Sequence, residues 1–510
     1  MSPRTSAVWA AAAGAVTVVL CVWFSDSLID DAFIFFRYAD HVLAGHGPVF
    51  NVGERVEGFT SPAWLGLLAA GRAAGIPYTS LVVILGTAFA LCAVVSTWLL
   101  ARTVLAPGPA LFPAILVALH PALSMWAVHG LETTLFVTLV TAGAAMWFAS
   151  WRASEVTAGA ILGLAFCTRP EAALFFAVLA TAAVFRRRLA RASKLTLGFA
   201  VPALLLEIAR WHYYAELVPN TFHAKTGGGL GRLMFGLSYA KGFVVAHAPL
   251  VILCGAAAWL VLRQRRAARL PRSRTGVPDA VVDSLALGAA WSAYVVWVGG
   301  DALPGYRFWL PILPFAGVFA AWGLEQIVAR RPAWRKAALA ASAVTVAAVA
   351  AASMPAVLLE YETGRDFTAK MTDAGRWPRE HAPPGTTLAV NYVGALPYHA
   401  GLPTLDMLGL TDPAVARTPI RGRFRFPGHA KGNGAAVLDR GPDLILMNGV
   451  YLESAPMAEL SPELTTEEEI AADPRFAALY ERVEVRVPGG AGPARYFAFY
   501  KRKDVAWDPR

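Results

Sequence analysis

The chain has 510 residues, 56% of them hydrophobic and 16% charged, with a formal net charge of +10. So little polar surface excludes a soluble enzyme over most of the length, and the apolar residues come in blocks near the roughly 20 residues that cross a bilayer as a helix. Arg and Lys fall in short clusters between those blocks, the positive-inside pattern of a protein whose partner is the lipid bilayer, and no nucleic acid enters the reading.

Arg4 holds the N-terminus on the cytoplasmic side. The apolar run 7–24 reads as an uncleaved first span, because Trp23-Phe24 stands where a cleavage site needs small residues. Residues 25–77 form a long outer loop, within which Pro62–Ala74, short and carrying Arg72, suits a helix lying at the interface. Spans follow at 79–101, 109–125 and 133–150, with Arg102 and Arg152 inside and His129-Gly130-Leu131-Glu132 outside. Two short spans fill the stretch up to Arg186-Arg187-Arg188, with their turn at Arg169-Pro170-Glu171 sunk toward the membrane. Further spans are predicted at 195–212, 242–262, 280–298, 308–328 and 337–353, about eleven in all by length and hydropathy. Outer loops lie at 213–240 and 299–307, and the basic runs 263–274 and 330–336 lie inside. Cys21, Cys92, Cys167 and Cys254 all sit in apolar blocks without a CxxC, so they read as small apolar residues.

From about residue 355 charges, prolines and turn signals return. Thr386–Val390, Leu444–Met447 and Arg495–Lys501 read as strands, and Pro462–Ala472 and Pro474–Glu481 as helices. The expected architecture is a multi-pass α-helical membrane region over 1–354, which carries the catalysis, and a small extracytoplasmic α/β domain over 355–510. The expected location is the cytoplasmic (inner) membrane.

The outer loops hold nearly every carboxylate, His and Asn near the membrane, so chemistry is expected outside. Asp30-Asp31 follows the first span directly. Two adjacent acids raise one proton affinity, which suits a general base, and they can also bind a divalent cation; the plainer account is a helix N-cap. Later in the same loop, Glu57 can assist an acid or orient sugar hydroxyls, or pair with Arg55 or Arg37. Arg37 and Asn51 are further candidates for substrate contact. Arg169 and Glu171 are expensive at membrane depth and functional by default; Arg169 can hold a phosphate or pair with Glu132. In Pro219-Asn220-Thr221-Phe222-His223-Ala224-Lys225, Lys225 can neutralise a phosphate and His223 can donate to it, with Asn220 beside them. Arg307 opens a helix, a plausible anion site with Asp301 and Tyr306 nearby, unless it only snorkels to headgroups. Apolar groove, cations and carboxylate together are what a polyprenyl-phosphate sugar donor needs. A transporter or flippase would show repeat symmetry, which is not found; a non-catalytic scaffold would not need acids and cations around the first loop.

The first loop resembles the DD-containing outer loop of the GT-C-fold glycosyltransferases, and across "GHGPVFNVGERVEGFTS" (45–61) it is similar to the terminal type of cell-wall arabinofuranosyltransferases. "GLE" at Glu132, "TRPEA", "PNTFHAK", "GGDALPGYRF" and "YVGALPYHAGLPTLDMLGLTDP" look like blocks of the same wider set of bacterial relatives. The resemblance implies a single-site inverting transfer from a polyprenyl-phosphate sugar to an extracytoplasmic glycan, lipid or protein. It makes Asp30 the base and Asp31 a supporting carboxylate or cation ligand. Ala32-Phe33 follows the pair where some arabinosyl relatives have a glycine, which implies a reshaped donor pocket.

Overall fold

The computed structural model describes residues 3–149, 153–267, 277–421, 424, 426–447, 452–453, 455–456, 462–487 and 495–507. Arg152 and positions 268–274 of the expected inner basic run lie outside the described residues. Every apolar block holds helix. Among the described residues, five helices are long and apolar enough to cross a membrane, or seven if each of two bent helix pairs is one span, and four shorter apolar helices accompany them. The chain is a multi-pass α-helical membrane protein.

Three expected elements differ. The block 109–125 is two helices, Leu111–Ala118 and Pro121–Val128, bent by 52°. Pro121 has no N–H to bridge the break and pushes His120 into an extended conformation. The block 242–262 begins earlier, as Gly229–Ala246, and turns by 91° into Ala248–Gln264, where Pro249 again removes a bridging N–H. The last apolar block does not stop near 353: helix Arg335–His381 runs 47 residues. Hydropathy registers which residues suit lipid; it does not register where a helix ends, and a helix can continue with charged residues.

The chain forms two compact units. The first comprises Met1–Asp26, Val82–Ile208 and Gly236–Tyr361 and contains most of the apolar helices. Its helices approach closely through small residues. A Cβ on Gly159 would lie 2.1 Å from the Leu195 carbonyl oxygen, and one on Gly198 2.1 Å from that of Val156. Helices Ser154–Phe166 and Leu189–Tyr214 therefore meet backbone to backbone, as small residues allow in lipid.

The second unit comprises Ser27–Leu81, Ala209–Phe235 and Glu362–Arg510. Its sheet has strands β1 (Leu388–Val390), β2 (Thr404–Asp406), β3 (Leu444–Ile445), β4 (Leu452–Glu453), β5 (Tyr480–Val487) and β6 (Arg495–Arg502). The order is β2-β1-β3-β6-β4, with β5 also paired to β6. β1 runs parallel to β2 and β3, and β6 antiparallel to β3, β4 and β5. The three expected strands are β1, β3 and β6. The expected helix 474–481 ends at Leu479, and β5 begins at Tyr480. Its Val483, Val485 and Val487 are buried while Arg482 and Arg486 are exposed, the period of two that marks a strand. Ala389, Met407, Val437, Ile445 and Ile470 form the core of the α/β part.

The first long loop belongs to this unit. It folds as helices Ala32–Leu43 and Pro62–Ala73, the second at the position expected for an interface helix. Ser61 caps it by accepting from the Trp64 N–H, and Pro62 takes the first turn, where no N–H is needed.

Candidate functional site

Asp30 sits just before helix Ala32–Leu43 and is 6% exposed. The backbone that follows β1 wraps around it. The Ala395 N–H donates to Asp30 Oδ1 at 2.8 Å. A Cβ on Gly394 would lie 2.1 Å from the Asp30 carbonyl oxygen and 2.3 Å from Oδ2, so only glycine allows this approach. Burial pushes the Asp30 carboxyl up to about 7; the Ala395 hydrogen bond works against that, and the Asp31 charge adds to it. Asp31 occupies the N-cap position but makes no capping hydrogen bond, and it is exposed. The helix-cap account therefore describes neither acid.

Around this pair the unit gathers Lys225, Tyr392 and His429. Lys225, exposed, ends helix Asn220–Lys225, and its Cγ is 4.0 Å from where a Gly428 Cβ would be. The His429 ring packs 4.4 Å from Phe426 and 6.1 Å from Tyr392, centroid to centroid, and its Nδ1 is 3.1 Å from the Pro427 carbonyl oxygen. Burial lowers the His429 proton affinity, Asp31 raises it and Lys225 lowers it. Tyr392 is pushed up to about 12, chiefly by burial, with Glu467, Glu463 and Asp30 adding to it. Neither Tyr392 nor His429 was singled out from the sequence. The signal for Tyr392 was the block "YVGALPYHAGLPTLDMLGLTDP", which it opens; for His429 it was the Gly- and Pro-rich Pro427-Gly428-His429-Ala430-Lys431-Gly432 stretch, which has no recognisable spacing.

Other expected site residues of this unit are structural in their contacts. Glu57 is 3% exposed in its side chain and is held by the Arg210 fork at 2.6 and 3.2 Å, not by Arg55 or Arg37. Each of its two oxygens thus accepts one N–H of the guanidinium. Arg37 spends its donors on the Phe50, Pro397 and Leu402 carbonyls and on Asn51 Oδ1, with its guanidinium over the Phe50 ring. Asn51 in turn bonds both the N–H and the C=O of Thr404. Asn220 donates its side-chain N–H groups to the Gly409 and Leu410 carbonyls and its backbone N–H to the Glu57 carbonyl. His223, half-buried, has its ring against Phe222. Arg210→Met leaves the Glu57 charge buried without its partner. Breaking a buried pair this way costs about 3–5 kcal/mol, so the thermal unfolding midpoint should fall by several degrees. An unchanged midpoint would remove the pair from the fold's supports.

The first unit holds a separate ionic cluster. Arg169 lies 3.6 Å from both Glu132 and Glu171, over the Phe308 ring, and Glu171 also accepts from the Tyr294 hydroxyl. Arg307 is gripped bidentately by Asp301 at 2.8 and 3.0 Å and lies over Trp126. Tyr306 takes a left-handed conformation beside it. The structural alternative for Arg169, an ion pair with Glu132, is therefore present, with Glu171 as a second partner. Among the described residues no group of three or more His, Cys, Asp or Glu side chains converges as metal ligands.

The fold is that of the GT-C membrane glycosyltransferases. It is similar to ArnT from Cupriavidus metallidurans bound to undecaprenyl phosphate, with a TM-score of 0.56 at 15% identity over 80% of this chain and 86% of that one. It is also similar to the Archaeoglobus fulgidus oligosaccharyltransferase in its apo form, with a TM-score of 0.50 at 12% identity over 79% and 65%. In sequence the chain is 30% identical over 328 residues to a terminal beta-(1->2)-arabinofuranosyltransferase of Mycobacterium tuberculosis, covering 57% of this chain and 51% of the relative. It is 29% identical over 331 residues to the protein of the same name from Corynebacterium glutamicum, covering 57% and 47%. The chain thus spans about half the length of these curated relatives. Residues 357–500 match the family described as "Domain of unknown function (DUF8728)".

Proposed function

We propose that this chain is an inverting membrane glycosyltransferase that moves a sugar from a polyprenyl-phosphate donor to an extracytoplasmic glycan, lipid or protein acceptor. Arabinofuranose is the sugar its relatives' names suggest. The observation that carries this reading is Asp30: a buried carboxyl, held by the backbone at Gly394 and Ala395, with its proton affinity brought to about 7 and a lysine in the same cluster. A base works best when its proton affinity lies near the working pH.

In the step, the ionised Asp30 takes the proton of the acceptor hydroxyl. The acceptor oxygen bonds to the anomeric carbon from the face opposite the phosphate. The bond from that carbon to the phosphate oxygen breaks, and its electron pair leaves on the phosphate, whose added charge falls to Lys225. Asp31 keeps Asp30 basic by its own negative charge. Arg169 and Arg307 are read as buried ion pairs that fix their loops, since each already faces carboxylates.

The test is transfer by the purified chain in proteoliposomes, using polyprenyl-phosphate donors of several sugars. Lys225→Met should raise the apparent constant for the donor roughly ten- to a hundredfold, since a charged hydrogen bond contributes about 1.5–3 kcal/mol, and should leave the acceptor dependence alone. No transfer from any such donor, with the lipid moved across the bilayer intact, would favour the flippase reading. The orientation that goes with the proposal has the N-terminus inside and residues 362–510 outside, in the cytoplasmic membrane. A reporter active only outside the cytoplasm, fused after Arg510, should be active; activity only from a fusion within 263–274 would invert it.

A further inference from the structure

We infer that His429 is a second ligand of the donor phosphate and that it takes up a proton as the phosphate arrives. The inference rests on the donor reading above. It begins with the tautomer. Nδ1 lies 3.1 Å from the Pro427 carbonyl oxygen, which has no hydrogen to give, so Nδ1 carries the ring proton. A neutral imidazole protonated there presents Nε2 as a bare lone pair. The ring packs against Phe426 at 4.4 Å, with Tyr392 at 6.1 Å, and the Pro427 contact fixes which nitrogen faces the backbone.

The charged groups acting on this ring are Asp31 and Lys225, of opposite sign, and Tyr392 packs against it as a neutral phenol. With no phosphate bound, burial and Lys225 keep the imidazole neutral. A lone pair aimed at an anion would repel it, so a purely neutral His429 is a poor phosphate neighbour. A phosphate docked on Lys225 reverses the balance. It cancels the cation that disfavours protonation and supplies an acceptor for a new Nε2–H. The benefit grows during transfer, because the phosphate gains a second negative charge as its bond to the sugar breaks. A donor that strengthens in the transition state accelerates the step, where one that binds the ground state equally well does not. The plainer account is that His429 only fills space beside Phe426 and Tyr392.

Titration calorimetry separates the two accounts. The full chain in lipid nanodiscs is titrated with farnesyl phosphate at pH 7.5 in buffers of different ionisation enthalpy, which gives the number of protons exchanged on binding. Wild type should take up close to one proton more than His429→Asn. That variant keeps an N–H toward Pro427 and lacks Nε2, and it should bind roughly tenfold more weakly, the loss expected for one charge-assisted hydrogen bond. His429→Gln places a fixed N–H near Nε2, so it should recover much of the affinity without the proton uptake. A side chain that only fills space would leave the proton count unchanged. Equal proton counts and affinities in wild type and His429→Asn overturn the assignment while the donor reading stands. Farnesyl phosphate failing to bind wild type overturns the donor reading, and this assignment with it.

Discussion

Asp30→Asn should reduce sugar transfer by roughly 10²–10⁴-fold, the contribution of a positioned general base, while donor binding survives. The variant keeps the size of the side chain and an oxygen for the Ala395 N–H. The wild-type rate should rise with pH through about 7, because the working form is the ionised carboxylate. Asp31→Asn removes a charge that raises the Asp30 proton affinity, so it should move that acid limb to lower pH. Stability supplies a control with a defined sign. Folding raises the Asp30 proton affinity from an ordinary 3.8 to about 7, so its contribution to stability is full at low pH and is lost as pH rises through about 7. Asparagine never ionises, so at pH 8 the variant should unfold at a temperature no lower than wild type. Full turnover by a folded Asp30→Asn protein would move the base elsewhere.

Gly394→Ala should be nearly as damaging, although residue 394 touches no substrate. The added methyl would lie 2.1 Å from the Asp30 backbone oxygen and 2.4 Å from its Cγ, and a backbone oxygen cannot step aside as the end of a long side chain can. The turn must retreat, and the Ala395 bond to the carboxylate goes with it. A displacement of about 1 Å at a reacting group costs on the order of 10²-fold in rate. Losing the Ala395 bond raises the Asp30 proton affinity, but water admitted around the carboxyl relieves burial, the larger effect, and lowers it, so the residual activity should keep its maximum rate to lower pH than wild type. Gly66→Ala, where an added Cβ meets nothing within 4 Å, is the matching silent control. Equal rates and pH profiles for both variants would mean that the turn after β1 does not hold the base.

The helices and the acid pair could be read from the sequence because each leaves a local mark: a run of apolar residues, or two carboxylates beside one. Partners far along the chain leave none. Glu57 invites pairing with Arg55, two residues away, yet its guanidinium comes from Arg210, 153 residues later. The Asp30-Asp31 pair looks like a helix cap, and the hydrogen bond that matters comes instead from Ala395. The bends at Pro121 and Pro249 were visible as prolines but vanish in a hydropathy average. β5 begins with Tyr480, directly after a helix, with no glycine or proline between them to mark the change. His429 carries no motif at all; only the fold brings it to Asp31 and Lys225.

The long reach of the Asp30 and Arg37 hydrogen bonds also sets a timetable for the protein's birth. Arg37 needs the Pro397 and Leu402 carbonyls, 360 and 365 residues further on, and Asp30 needs Ala395 at a separation of 365. At ribosomal speeds of about 5–20 residues per second, those partners emerge roughly 20 to 70 seconds after the segment that awaits them. During that interval the segment around Asp30 has apolar Phe33, Ile34, Phe35 and Phe36 to shield and no completed fold to shield them. A nascent chain stalled before Gly394 would have translated every apolar block and still lack a finished base. Quality control that recognises such a chain would do so through its first loop, made directly after the first helix and among the last parts to fold.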